Sequence, residues 1–379
     1  MMWEKVKLGD ICKYVTSGGT PKSSIKEYYE PKQIPWLKTK EVNYCRIYET
    51  EAYISKDGLD NSSAKMIPQN SVIVAMYGQG DTAGRVAINK IPLTTNQACC
   101  NLIIDETKAY YEFVYYQLVT LYEKMVSLKN GGAQPNLNAA IIKSMEIKLP
   151  PLKTQRYIAD ILSSYDNLIE NNQKQIKLLE EAAQRLYKEW FVDLRFPGHE
   201  NTKIVDGVPE GWRRGLLKEL ISVNYGKDHK KAPDDGNIPV YGSGGLMRKC
   251  NKSLFSGEAV LIPRKGSLNN IMYVDETFWT VDTMFYATMK QPHTAVFVYF
   301  FVKAFDMYSM NIGAAVPSMT AKILDAMDVV IPDKETLEKF DKITKTYFNK
   351  IKTLQGQNER LKTARDLLLP KLMSGEVEV

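Results

Sequence analysis

The chain has 379 residues, 44% hydrophobic and 25% charged, which is enough apolar material for two or three folded domains. No stretch approaches the roughly 18 uninterrupted apolar residues of a membrane span, and the opening Met1-Met2-Trp3-Glu4-Lys5 has no apolar leader core. Five cysteines (Cys12, Cys45, Cys99, Cys100, Cys250) form no CxxC pair and leave one over, which favours reduced thiols in a cytoplasm over a disulfide framework or a zinc site. The net charge of +6 leans mildly toward polyanionic partners.

In chain order, a mixed region comes first, rich in Gly, Pro, Tyr and short β-branched runs such as Ser71-Val72-Ile73-Val74-Ala75-Met76, which read as short strands. From Leu152 to Phe196 there is no Pro or Gly, so that segment reads as one long helix. Pro197-Gly198 and Pro209 break it and form a linker. A second mixed region follows, and a second helix is expected from Lys334 to Leu369.

The two halves repeat each other. Trp3-Glu4-Lys5-Val6-Lys7-Leu8 echoes Trp212-Arg213-Arg214-Gly215-Leu216-Leu217, and Gly132-Ala133-Gln134-Pro135-Asn136-Leu137 echoes Gly313-Ala314-Ala315-Val316-Pro317-Ser318-Met319. From there a constant offset of 182 aligns Ile141 with Ile323, Met145 with Met327 and Pro150 with Pro332. The expected fold is α+β: two repeated mixed α/β globular domains separated by a long antiparallel two-helix coiled coil. The boundaries are 1–150, 151–196 (first helix), 197–333 (linker and second globular domain) and 334–379 (second helix).

Steps of four and three along the first helix give Ile158, Leu162, Tyr165, Ile169, Asn172, Ile176, Leu179, Ala183, Leu186 and Trp190, a coiled-coil seam. The same offset of 182 gives Phe340, Thr344, Tyr347, Ile351, Leu354, Asn358, Leu361, Arg365, Leu368 and Leu372. Antiparallel pairing about the midpoint sets Asn172 opposite Asn358 as a register pair, Trp190 opposite Phe340 and Tyr165 opposite Arg365, whose charge is expected to reach outward past the ring. The resulting rod is about 50 Å long at ~1.5 Å per residue. With one head at each end it suits two half-sites about 34–36 Å apart on duplex DNA.

A search for catalytic groups is mostly negative. There is no GxxxxGK[ST] or GxGxxG phosphate loop, and no Asn-Pro-Pro or Asp-Pro-Pro motif of a base methylase. Gly242-Ser243-Gly244-Gly245 reads as a tight turn, not a nucleophile elbow. His199, His229 and His293 fall in no metal-ligand or catalytic spacing and read as surface residues. Adjacent Cys99 and Cys100 point to opposite faces of a strand and read as core. No catalytic residue and no metal ligand is assigned.

The polar loops suit nucleic acid better. In the first half these are Lys38, Thr39 and Lys40 beside Trp36, then Tyr77, Gln79 and Thr82 in a Gly-rich loop, then Asn96, Gln97 and Gln134. In the second half they are Lys227, Tyr241, Ser243, Arg264, Lys265, Ser267, Asn269 and Asn270. Cations neutralise phosphates, while amides and hydroxyls read base edges.

Over its whole length the chain resembles the specificity subunit of Type I restriction–modification systems. The resemblance is carried by 3–11, by Ile34-Pro35-Trp36-Leu37-Lys38, by Ile238-Pro239-Val240-Tyr241-Gly242, by Leu261-Ile262-Pro263-Arg264-Lys265 and by Leu149-Pro150-Pro151-Leu152. Trp190-Phe191-Val192-Asp193-Leu194-Arg195-Phe196-Pro197 adds to it. It implies two target-recognition domains, each reading half of an asymmetric bipartite site in double-stranded DNA. It also implies a coiled coil that docks two methyltransferase subunits and recruits motor–nuclease subunits. S-adenosylmethionine, ATP and Mg then belong to those partners, and this chain is a non-catalytic member of the complex. The alternative reading is a coiled-coil adaptor without DNA specificity.

Overall fold

The computed structural model describes residues 3–129, 136–310 and 318–377. Gln134 and most of the repeated segments 132–137 and 313–319 lie outside the described residues. The chain divides into two compact units, 1–171 with 357–379, and 172–356.

The first unit contains, in order, β1 (Glu4–Lys7), β2 (Cys12–Ser17), β3 (Ile34–Leu37), β4 (Cys45–Ile47), β5 (Ala52–Ile54), α1 (Lys56–Asp60), β6 (Val72–Ala75), β7 (Val86–Asn89), β8 (Thr94–Thr95) and β9 (Cys99–Ile104). Then come α2 (Tyr111–Thr120), α3 (Tyr122–Ser127), α4 (Ala139–Ser144), β10 (Glu146–Leu149) and the start of α5 (Leu152–Tyr187). Strands pair in the orders β2-β9-β6-β7-β4 and β5-β3-β8, with β1 against β10. Alternation along the central strands splits the core. Val72, Val74 and Cys100 face a cluster with Phe113 and the helices, whereas Ile73, Ala75 and Cys99 face Leu37, Val42 and Ile67. The two cysteines therefore do point to opposite sides, and burial pushes the Cys100 thiol up to about 12.

The second unit follows the end of α5. It contains β11 (Ile204–Val205), β12 (Val208–Pro209), β13 (Arg213–Leu216), β14 (Ile221–Tyr225), β15 (Ile238–Gly242), β16 (Gly245–Cys250), β17 (Phe255–Pro263), β18 (Met272–Thr280) and β19 (Met284–Met289). After these come α6 (Ala295–Lys303), α7 (Ala321–Asp325), β20 (Asp328–Ile331) and the start of α8 (Lys334–Ser374). One six-stranded sheet runs β14-β19-β17-β18-β15-β16, and β13 pairs with β20. The stretch expected as a plain linker is structured: it holds a 3-10 turn at His199–Asn201 and the β11–β12 hairpin.

The duplication extends to single hydrogen bonds. Leu8 N–H donates to Met145 C=O at 2.9 Å, and Leu217 N–H to Met327 C=O at 2.8 Å. Leu137 N–H donates to Met76 C=O at 3.0 Å, and Met319 N–H to Arg264 C=O at 2.9 Å. Asn138 caps α4 by accepting from Ile141 N–H, as Thr320 caps α7 by accepting from Ile323 N–H.

All twenty seam positions are buried or half-buried, including Asn172 and Asn358. In the first unit Ile158, Leu162, Leu368 and Leu372 join one core, so the start of α5 lies against the end of α8 in antiparallel sense. In the second unit the rings of Trp190 and Phe340 lie 5.9 Å apart, as the antiparallel register requires. Three details differ from expectation. The second helix does not stop before Pro370 but runs to Ser374, because its last turn buries Leu372 and Met373 in the first head's core. The first helix ends in a wider π turn at Lys188–Val192. Arg365 does not simply reach outward past Tyr165: its guanidinium donates to the Asp166 carboxylate at 2.5 Å.

Ionic groups tie each head to its own helix segments. Asp166 also accepts from the Tyr116 hydroxyl at 2.5 Å. Nearby, the Arg46 guanidinium, only 5% exposed, donates to Asn167 Oδ1 at 2.6 Å and lies 3.4 Å from Glu170 and 3.8 Å from Glu112. In the second unit Lys345 bridges Asp341 at 3.0 Å and Glu258 at 3.1 Å, and the Tyr273 hydroxyl donates to Glu258. His293 is not a free surface group, since its Nδ1 lies 2.7 Å from the Asp341 carboxylate.

Candidate nucleic-acid interface

The polar loops of the first head gather where β2, β3, β6 and β8 end. Asn96 N–H donates to Leu37 C=O at 2.9 Å, Gly19 N–H to Thr95 C=O at 2.8 Å, and Met76 N–H to Ala98 C=O at 2.8 Å. These bonds set the Lys38, Asn96–Gln97 and Tyr77 segments side by side. Gly18 is required by close approach: a Cβ there would lie 2.2 Å from Asn96 O. Thr39 is buried, and the Asn96 side-chain amide donates to its hydroxyl at 3.0 Å, so that pair is bound to itself. Half-buried Lys38 sets its ammonium 5.5 Å from the Trp36 ring. Lys40 is exposed but ion-paired with Glu51. Gln97 is exposed and accepts from Thr20. Gln79 is exposed, and its backbone carbonyl accepts from the Thr82 hydroxyl at 2.6 Å, while Tyr77 is half-buried. Arg85 donates to Asp81 at 2.5 Å and holds that carboxyl below its ordinary range.

The second head builds the same corner with other residues. Val281 N–H donates to Tyr241 C=O at 3.0 Å and Lys227 N–H to Thr280 C=O at 2.9 Å, matching the Asn96–Leu37 and Gly19–Thr95 bonds. A Cβ on Gly226 would lie 2.0 Å from Val281 O, so a glycine is needed here as at Gly18. Arg264 lies over the rings of Tyr225 and Phe285 at 4.9 and 5.1 Å and donates to Asp282 C=O at 2.8 Å. That stacking orders its planar fork in advance of any ligand. The Asn270 amide donates to Ser243 C=O at 2.9 Å, joining two candidate segments. Tyr241 donates its hydroxyl to Glu276 at 2.5 Å, and burial, then that carboxylate, push its ionisation well above the usual tyrosine range. Asn269 is exposed, donating to Asp306 at 2.9 Å and accepting from Met307 N–H at 2.8 Å. Lys227, Lys265 and Ser267 are exposed.

Sequence reasoning passed over Tyr225 and Tyr308. Tyr225 is 54% exposed beside Arg264, and Tyr225-Gly226-Lys227 repeats the Tyr-Gly-polar pattern of Tyr77-Gly78-Gln79, a signal that was present. Tyr308, whose hydroxyl donates to Gly266 C=O at 3.0 Å, has no such signal. Among the described residues no group of three or more His, Cys, Asp or Glu is placed to hold a metal ion, and no helix is long and apolar enough to cross a membrane.

Fold and loops together define a duplicated protein: two mixed α/β heads, each offering one polar corner, with two long helices that contribute to both units. The pattern of the Type I restriction modification DNA specificity domain matches residues 2–181 and again 209–363, so the chain belongs to that family and carries the domain twice. It is similar to the Type I restriction enzyme MjaIX specificity subunit of Methanocaldococcus jannaschii, at 28% identity over 100% of this chain and 94% of that one. It is also similar to the HindI specificity subunit of Haemophilus influenzae, at 22% identity over 99% of each. The fold matches the crystal structure of a Type-I restriction-modification system S subunit from M. genitalium with a TM-score of 0.66, at 19% identity, covering 98% and 96% of the two chains.

Proposed function

We propose that each head reads one half of a bipartite asymmetric site in double-stranded DNA through its polar corner. In this reading α5 and α8 dock two methyltransferase subunits and set the spacing between the halves, and motor–nuclease subunits join the same cytoplasmic assembly. The chain performs no chemistry. Methyl transfer from S-adenosylmethionine and ATP- and Mg-dependent work belong to the partners. The observation that carries the reading is the equivalence of the two corners. Backbone bonds repeat from one head to the other while the side chains they present differ, as two readers of unlike sequences require. Exchanging residues 1–150 for the corresponding head of another family member tests this. Methylome sequencing is expected to show one half of the recognised sequence replaced and the other kept. A change in both halves, or in neither, overturns the reading.

A further inference from the structure

The β15–β16 hairpin carries two large apolar side chains into solvent, Leu246 (59% exposed) and Met247 (54%). The pairing register shifts between Val240 and Tyr241, which face Arg248 and Leu246, so Met247 is an extra residue in the ribbon and the regular alternation of faces is broken beside Leu246. The tip stands clear: a Cβ added at Gly244 or Gly245 would meet nothing within 4 Å. The remainder of the hairpin is held from several directions. The Arg248 guanidinium donates to Ala232 C=O at 2.7 Å and pairs with Asp234. Tyr241 is tied to Glu276, and Ser243 C=O accepts from Asn270. Single exposed leucines are ordinary on protein surfaces. Two adjacent apolar side chains on a braced, protruding ribbon are not, least of all beside a corner of amides and cations.

We propose that this hairpin is a thymine reader, with Leu246 and Met247 entering the major groove of the second head's half-site and packing against a thymine 5-methyl group. The proposal rests on the DNA reading given above. The major groove admits a two-stranded β-ribbon, and thymine is the base that presents a methyl group there. Lys249 on the ribbon itself and Lys227 and Lys265 in the neighbouring segments are exposed, and these cations suit phosphates on either side of the groove. Among the described residues of the first head the equivalent antiparallel pair, β3 with β5, is joined not by a tight turn but through a 3-10 segment, Thr39–Glu41, and β4, so methyl reading is confined to one half of the site.

The test uses the full chain with its methyltransferase partner, after methylome sequencing and head exchange have assigned the two half-sites. Thymines are replaced by deoxyuridine, which removes only the methyl group, in one half-site at a time. In the second head's half, replacement is expected to weaken binding about threefold to tenfold, the size of one lost methyl contact or somewhat more. In the first head's half, binding is expected to stay the same. The double variant Leu246→Ser, Met247→Ser is expected to bind thymine and deoxyuridine duplexes alike while still reading the first half-site, which shows that it is folded. An equal loss in wild type and variant, no loss at either half, or a second half-site without thymine on either strand overturns the hairpin assignment. Failure of the wild-type complex to select any duplex overturns the DNA reading itself, and is distinguishable because the first half-site is then lost too.

Discussion

The first head closes its strands in two pieces, a five-stranded sheet and a separate three-stranded one, whereas the second joins the corresponding strands into six. The same carbonyl position shows how they diverged. In the first head Trp36, on β3, donates its indole N–H to Gly19 C=O at 3.0 Å. In the second the equivalent carbonyl, Lys227 C=O, accepts at 3.1 Å from Trp279, which lies on the neighbouring strand. The backbone acceptor was kept while its donor moved across the sheet. What persists between the heads is the hydrogen-bonded frame and the helix contacts. What changes is the chemistry hung from the frame.

The helix contacts offer the largest test. Trp190 and Leu372 occupy equivalent seam positions, each buried in the core of its own head. Trp190→Ala is expected to cost about 3–5 kcal/mol and Leu372→Ala about 2–5 kcal/mol by denaturant unfolding. Losses below about 1 kcal/mol would mean that the seam does not hold the heads.

The ionic ties sharpen the contrast between heads. Arg46→Ala removes the buried cation beside Glu170, while Glu112 keeps Lys90 at 3.0 Å, and is expected to cost about 3 kcal/mol. Lys345→Ala, at a more exposed site, is expected to cost about 1 kcal/mol. Equal losses would erase the distinction.

Alkali should strike both ties together. Burial, then the adjoining carboxylates, raise the ionisation of Tyr116 and Tyr273 above their ordinary value of 10.0. The unfolded chain releases these protons near pH 10 and the folded chain does not, so their stabilisation is full below pH 10 and falls as pH rises above it. Melting temperature is expected to be level from pH 8 to 9.5 and to drop by pH 11. Tyr116→Phe should make the drop shallower. A flat profile in the wild type would rule out buried, neutral tyrosines.

The smallest effect separates the corners. Lys265→Gln is expected to weaken binding to all duplexes and reduce the slope of affinity against salt by about one unit. Lys40→Gln is expected to do less, because Lys40 already pairs with Glu51. The reverse order would place the phosphates over the first corner's lysine.

Periodicity made the seam legible, because burying one stripe of a long helix leaves a pattern that twenty positions repeat. Strand alternation likewise placed Cys99 and Cys100 on opposite sides. Pro370 misled, since a proline in the last turn forfeits little when the following residues gain a core. His293 and Arg365 misled because their partners, Asp341 and Asp166, lie 48 and 199 residues away in sequence. At the corner, residue type pointed to Arg264 but could not reveal its stacking, nor that Thr39 and Asn96 bond to each other. Those facts depend on strands that meet only in the folded head.

Leu369, Leu372 and Met373 complete the core of the first head, about 200 residues after the rest of it has been made. At about 5–20 residues per second, synthesis leaves that apolar face open for roughly 10–40 s. Residues 172–356 form the second unit as one contiguous stretch. In order of synthesis, the residues of the second unit are therefore all present before the last core residues of the first.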